Sequence, residues 1–273
     1  MDYREMFEIL HVKDDAELVQ KLYSDFDEDS RLNRSKAARV EFLTNTRIIE
    51  QYLKPDARIL DIGAGAGEYS LYFARKGYRV SALELAESNI QAFRKKVEPD
   101  DRIDLVQGNA LDLSRYEDNS FDAVLVFGPL YHLHEIEDRR RCLEEAKRVC
   151  KSDGKLFIAF ISNDMIFLTE FLENPDYFAN GDYDKQTFRL DDVPFVFHTP
   201  DACRELLQGS ELAILREVAS DGVSELLAEK INAMDDESYA QYLRYHEYIC
   251  EKPELLGMSN HFLFVCESAD VAF

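Results

Sequence analysis

Short apolar runs recur at 58–62, 78–84, 103–107, 121–127 and 155–161. Between them lie segments whose apolar residues fall at helical spacing. One covers 69–76 and is stopped by Gly77; another starts at Ser88, a helix cap, and runs to about 97 before Pro99. A third covers 135–150 and places Ile136, Leu143, Ala146 and Cys150 on one face. Strand and helix alternating at this spacing predict parallel strands, right-handed crossovers and helices on both faces. The fold class expected is α/β, a doubly wound Rossmann-like sheet.

The flanks break this rhythm. Residues 1–57 read as a charged helical cap, with Ala37, Val40, Leu43, Ile48 and Tyr52 near helical spacing. Residues 162–198 are rich in Asp, Asn, Phe and Tyr, and Pro175, Gly181 and Pro194 interrupt any long helix. A short helix follows Thr199-Pro200, then a strand-like run at 211–219, a tyrosine-rich helical stretch at 224–250 and a last strand at 261–267. The main domain is therefore expected over 58–273, with lid insertions at about 162–198 and 222–257.

Composition narrows the partners. A formal charge of −22 at pH 7 repels phosphate backbones and anionic headgroups, which argues against nucleic acid or membrane as partner. The basic clusters Arg94-Lys95-Lys96 and Arg139-Arg140-Arg141 are flanked by acids and read as solvated helix faces. The start Met1-Asp2-Tyr3-Arg4-Glu5 carries no signal-peptide pattern, and five scattered cysteines without a CxxC pair fit reduced thiols. A cytoplasmic protein is expected.

The chemistry concentrates after the strands. Asp61-Ile62-Gly63-Ala64-Gly65-Ala66-Gly67 follows one strand and opens a helix, so bare main chain is offered to a ligand. The dinucleotide fingerprint needs a third glycine where Glu68 stands. A carboxylate at Asp61 repels a pyrophosphate but suits a ligand carrying an ammonium and a sulfonium. S-adenosylmethionine (SAM) carries both and no phosphate. Glu84 ends the second strand, placed for ribose hydroxyls of SAM and NAD alike. Asn109, after the third strand, offers a donor and an acceptor to an adenine edge. Phe127-Gly128-Pro129-Leu130-Tyr131-His132-Leu133 follows the fourth strand as an irregular loop at the sheet's switch point.

On the Asp61–Gly67 motif, Glu84, Asn109-Ala110 and the 127–133 loop, the chain resembles class I SAM-dependent methyltransferases over about 58–161. With Ser220-Asp221-Gly222 and Ser259-x-His261 it resembles a bacterial small-molecule branch of that family. The resemblance implies a seven-stranded sheet with a C-terminal antiparallel strand. It also implies that Gly63 and Gly65 meet the methionine part, Glu84 the ribose, and Leu85, Asn109 and Ala110 the adenine. Ala64, Gly67 and Phe127 belong to the same expected cofactor set. Gly128-Pro129-Leu130-Tyr131 replaces the Asn/Asp-Pro-Pro-Tyr/Phe signature of adenine and glutamine N-methylation, which argues against those targets.

The function expected is methyl transfer from SAM to a small-molecule acceptor. A nicotinamide-dependent oxidoreductase, a non-catalytic SAM-binding protein and an RNA methyltransferase are the alternatives. His132 is the candidate catalytic residue and Tyr131 its substitute. Arg39 either pairs the SAM carboxylate or lies on the surface. His246 and Cys250, four apart on a helix, are read as packing residues, and no metal is expected. Tyr239, Tyr242, Tyr245 and Tyr248 form a drifting stripe, either packing or an aromatic substrate wall.

Overall fold

The computed structural model describes residues 12–25, 28–192 and 194–269. Residues 1–11 of the expected cap lie outside the described residues. Among the described residues two helices precede the sheet, α1 (Asp15–Asp25) and α2 (Lys36–Glu50). Ser35 caps α2, its side chain accepting from the Ala38 amide at 3.1 Å. Ala37, Val40, Phe42, Ile48 and Ile49 form the buried face of α2, yet Glu41, Thr44 and Asn45 are buried with them.

The alternation then runs as expected: β1 (Arg58–Ile62), α3 (Glu68–Arg75), β2 (Arg79–Glu84), α4 (Glu87–Arg94), β3 (Ile103–Gln107), β4 (Phe121–Val126), α5 (Ile136–Val149) and β5 (Cys150–Ser162). Gly77, at φ +95°, follows the end of α3 as a left-handed terminator. Two local expectations change. Ser88 does not cap α4; its hydroxyl donates to the Tyr23 carbonyl at 2.8 Å and ties α1 to α4. Ile136, the first residue of α5, is exposed, whereas Leu143 and Ala146 are buried as expected.

The remaining elements are α6 (Asn163–Glu173), α7 (Tyr177–Asn180), β6 (Phe197–His198), α8 (Pro200–Gly209), β7 (Leu212–Ala219), α9 (Ala228–Asn232), α10 (Asp236–Ile249) and β8 (His261–Ser268). Strand order is β3-β2-β1-β4-β5-β8-β7; β8 pairs antiparallel with both β5 and β7 and so is the one reversed strand of this order. The seven expected strands are all present; the two-residue β6, parallel to the end of β5, makes an eighth.

Apolar side chains pack on both faces. Leu60, Val124, Leu156 and Phe264 meet α5 and α8, while Ile59, Leu125, Phe157 and Val265 meet α2 and α3. Each such buried side chain contributes roughly 1.5–3 kcal/mol. The 162–198 segment is more ordered than its composition suggests. It contains an 11-residue helix and a small core of Phe167, Tyr177, Tyr183 and Leu190. The order reverses between β1 and β4, the point where open α/β sheets take ligands.

Candidate functional site

At that point a cavity of about 290 Å³ opens over the carboxyl ends of the strands. Its floor is the turn after β1. Gly63, Gly65 and Gly67 all have left-handed φ values, +77°, +54° and +89°. A Cβ on Gly63 would lie 2.8 Å from the Pro129 ring and 2.9 Å from the Phe127 carbonyl, so only glycine lets this turn meet the 127–133 loop. Gly63, Ala64 and Gly65 border the cavity; Gly67 does not. A Cβ there would meet the Phe93 ring at 2.4 Å, so Gly67 serves the approach of α3 to α4.

The acidic residues of the motif surround this turn. Asp61 is 1% exposed; its Oδ2 accepts from the Ser70 hydroxyl at 2.7 Å, while Oδ1 has no partner. Burial pushes its carboxyl up to about 7, against the Ser70 hydrogen bond and helped by Glu84. Glu84 accepts from the Ala86 amide at 2.8 Å through Oε1 and from the Gly65 amide at 2.7 Å through Oε2. Burial raises its pKa, while those amides oppose the shift. Leu85, Asn109 and Ala110 border the cavity beside it. Asn109 spends its carbonyl on the Leu111 amide at 2.9 Å, which fixes the side chain and leaves its NH₂ as the donor group.

The loop after β4 forms the opposite wall with Phe127, Tyr131 and His132. His132 is 6% exposed but faces the cavity. Its Nε2 is 3.0 Å from the Tyr23 hydroxyl, and its buried Nδ1 has no partner. Burial, with His134 nearby, lowers its pKa to about 3, so the ring is neutral. Burial also raises the Tyr131 hydroxyl, which stays protonated. Phe195 packs on His132 with ring centroids 5.2 Å apart, and the Val196 amide donates to the Tyr131 carbonyl at 2.9 Å.

Among the described residues, none of 162–198 or 222–257 borders the cavity; Phe195 and Val196 back its wall at His132 and Tyr131. Cover comes from α1 and residues 28–32. His134 fastens α1 through Asp15, with Nδ1 2.6 Å from Oδ1 and the backbone amide 2.9 Å from Oδ2. The stripe Tyr239, Tyr242, Tyr245 and Tyr248 is likewise off the cavity; Tyr239 donates to the Lys36 carbonyl at 2.7 Å, while Tyr245 and Tyr248 are exposed.

A chain of alternating charges, missed in the sequence, crosses the remaining wall. Arg31 donates from Nε to Glu28 at 3.0 Å and from Nη1 to Glu41 at 2.8 Å. Glu41 Oε2 lies 3.6 Å from His261 Nδ1, which is 2.6 Å from Asp221 Oδ2. Asp221 Oδ1 accepts from the Ser259 hydroxyl at 2.5 Å and the Asn260 amide at 2.9 Å. Burial alone would lower the His261 pKa; Glu41 and Asp221 overcome it and raise it to about 9. Glu28, Arg31, Glu41 and His261 border the cavity, whereas Arg39 does not: it lies over the Phe42 ring and near Glu68.

Glu41, Asp221 and His261 bring one ligand atom each within 4.8 Å of one another, a spacing able to hold a cation. The imidazolium and the Arg31 guanidinium already balance these carboxylates. His246 and Cys250 are not part of this group; His246 Nε2 bonds the Ser220 carbonyl at 3.2 Å, and Cys250 is buried. The signals available were polar Glu41 within an apolar helical face and the two short motifs at 220–222 and 259–261.

Residues 60–158 match the methyltransferase domain family. The chain is 37% identical over 106 residues to the demethylmenaquinone methyltransferase of Clavibacter sepedonicus, covering 38% of this chain and 41% of that protein. It is 30% identical over 127 residues to the glycine/sarcosine N-methyltransferase of Aphanothece halophytica, covering 46% and 48%. The aligned region thus spans less than half the length of these curated relatives. A crystal structure of a Pyrococcus horikoshii protein superposes with a TM-score of 0.59 at 18% identity, covering 91% of this chain and 98% of that one. A SAM-dependent methyltransferase structure from Methanosarcina mazei gives 0.52 at 20% identity, covering 81% and 97%. These two share the fold.

Proposed function

We propose that this protein, whose residues 60–158 belong to the methyltransferase domain family, transfers a methyl group from SAM to a small-molecule acceptor. The observation that carries the reading is the Asp61 Oδ1 atom, a buried carboxylate oxygen with no protein partner on the wall beside the glycine turn. A ligand ammonium satisfies it; a pyrophosphate is repelled.

The residues fit the cofactor. Gly63 and Gly65 keep main chain bare where side chains would intrude. Asp61 and Glu28, which lies against Gly65, suit the ammonium, and Arg31 rather than Arg39 suits the carboxylate. Glu84 would hold the ribose, with Leu85, Asn109 and Ala110 at the adenine. When bound, SAM supplies a methyl group already activated on a sulfonium. The protein's task is then to orient the acceptor and exclude water. His132 and Tyr131 stand on the acceptor side, where the neutral His132 Nδ1 can make a hydrogen bond. All five cysteines are buried free thiols, which suits the cytoplasm, and no helix among the described residues is long and apolar enough to cross a membrane.

Titration calorimetry with SAM, S-adenosylhomocysteine, NAD and ATP tests the reading. Binding of the first two alone is expected; tight NAD binding with none for SAM overturns it. Incubating isotopically labelled SAM with a metabolite pool then identifies the compound that gains the methyl group. Binding without any labelled product leaves a SAM-binding protein without transferase activity.

A further inference from the structure

We propose that His261 is the catalytic residue that takes the proton of the methyl acceptor, with the buried Asp221 as its positioning residue. This rests on the methyltransferase reading and adds the base, and with it a property of the acceptor: its attacking atom carries a hydrogen. Two strands set the placement. β8 runs antiparallel to β5 and puts His261 opposite Ile161, near the carboxyl end of β5. Glu84 ends β2 and Asn109 follows β3, across the switch point, so His261 borders the cavity on the side away from them.

The ring is held by one nitrogen only. Nδ1 is spent on Asp221 Oδ2 at 2.6 Å. Asp221, 3% exposed, is fixed in turn, because its Oδ1 accepts from the Ser259 hydroxyl at 2.5 Å and from the Asn260 and His261 amides at 2.9 and 3.2 Å. Nε2 makes no hydrogen bond among the described residues, and the side chain keeps 17% exposure at the cavity wall. A carboxylate on Nδ1–H leaves the lone pair of the neutral ring on Nε2, as a general base requires. The short motifs at 220–222 and 259–261 supply this whole arrangement.

The neighbouring groups serve a proton less well. His132 is lowered to about 3, Tyr131 keeps its own proton, and a guanidinium such as Arg31 has no lone pair to offer. Glu41 Oε2 is already shared between Arg31 and His261. The charged groups facing the His261 ring are Glu41 of α2, Arg31 before it, and Asp221 and Glu225 after β7. Burial is outweighed by Glu41 and Asp221, which raise its pKa to about 9, so about one molecule in a hundred holds the neutral ring at pH 7. A strong base offsets part of that small fraction. In the neutral form the attacking atom bonds the methyl carbon, the electron pair of the C–S bond passes to sulfur, and the hydrogen leaves as a proton to Nε2. The imidazolium then returns the proton to solvent.

Ring-nitrogen NMR on the protein without ligands should show His261 titrating near pH 9, with the proton of the neutral ring on Nδ1. In Asp221→Asn the titration should fall by at least about one pH unit. SAM with an isotopically labelled methyl should give cross-relaxation from that methyl to the His261 ring. A neutral ring protonated on Nε2, or bound SAM without that contact, overturns the proposal, and neither reading needs an acceptor. On the acceptor from the labelling screen, turnover should rise about tenfold per pH unit up to about pH 9 and fall about 10²–10⁴-fold in His261→Gln. Added imidazole should restore part of the turnover of His261→Ala. An unchanged pH profile in His261→Gln overturns the proposal as well. Asp221→Asn is open to unfolding because the residue is buried, and the wild-type measurements decide without it. Absence of SAM binding removes the methyltransferase reading and this step with it; SAM binding without the methyl contact removes the His261 assignment alone.

Discussion

The Gly65 amide donates to Oε2 of Glu84 at 2.7 Å, so the glycine turn after β1 is fastened to the end of β2 by the carboxylate expected to hold the ribose. Glu84→Ala should therefore weaken SAM binding by about 1.5–3 kcal/mol, the usual worth of hydrogen bonds to a charged group. Gly65→Val should be worse. Its φ of +54° strains any branched residue, and the new Cβ would sit 3.3 Å from Glu28. Calorimetry on variants with native circular dichroism checks both; wild-type affinity in each would move the cofactor elsewhere.

Cofactor affinity should depend on pH through Asp61. Burial raises its carboxyl to about 7, so the group takes up a proton as pH falls through 7, and the protonated form attracts an ammonium poorly. SAM affinity should fall below pH 7, at most about tenfold per pH unit, and level off above it. Asp61→Asn should be weak and flat across the range. Titrations from pH 5.5 to 8.5, bounds spanning about 1.5 units either side of 7, measure the slope. A slope that persists in Asp61→Asn would assign it to another group.

His132 should orient rather than store a proton. An imidazole lowered to about 3 holds a proton poorly at neutral pH, but its free Nδ1 still makes a hydrogen bond. His132→Ala is expected to reduce turnover by less than about 10²-fold with SAM affinity kept, and His132→Asn to restore part of it. A loss of about 10²–10⁴-fold that Asn does not rescue would instead mark a proton acceptor. Steady-state kinetics on the acceptor from the labelling screen separates the two.

Ligand binding should quiet the cover rather than the insertion. Tyr23, Glu28 and Arg31 border the cavity, while the described residues of 162–198 do not. Hydrogen exchange in α1 and residues 28–32 should slow with S-adenosylhomocysteine bound, with a smaller change over 162–198. Stronger protection in 162–198 would restore that segment as the lid.

The β-α alternation was legible because each strand's apolar run and each helix's spacing are local properties, punctuated by residues such as Gly77 and Pro99. The glycine turn was legible for the same reason: three glycines at alternate positions directly after a strand permit the left-handed backbone that Gly63, Gly65 and Gly67 adopt. Their separate duties were not. Gly63 is required by Pro129 and Gly67 by Phe93, contacts made across the fold. The 162–198 segment reads as irregular because its proline and glycine interruptions are local, while the packing of Phe167, Tyr177 and Tyr183 that orders it is not.

By itself the sequence determined the doubly wound sheet and the glycine turn after its first strand. Those features follow from backbone geometry and side-chain alternation over a few residues. Tertiary structure alone decided which distant polar residues meet at the cavity. It set Tyr23 against His132, 109 positions apart, and paired Asp221 with His261 across 40. It also put Arg31, and not Arg39 of α2, on the cavity wall. An electrostatic network of this kind takes its meaning from distance and burial, which no local pattern of residues encodes.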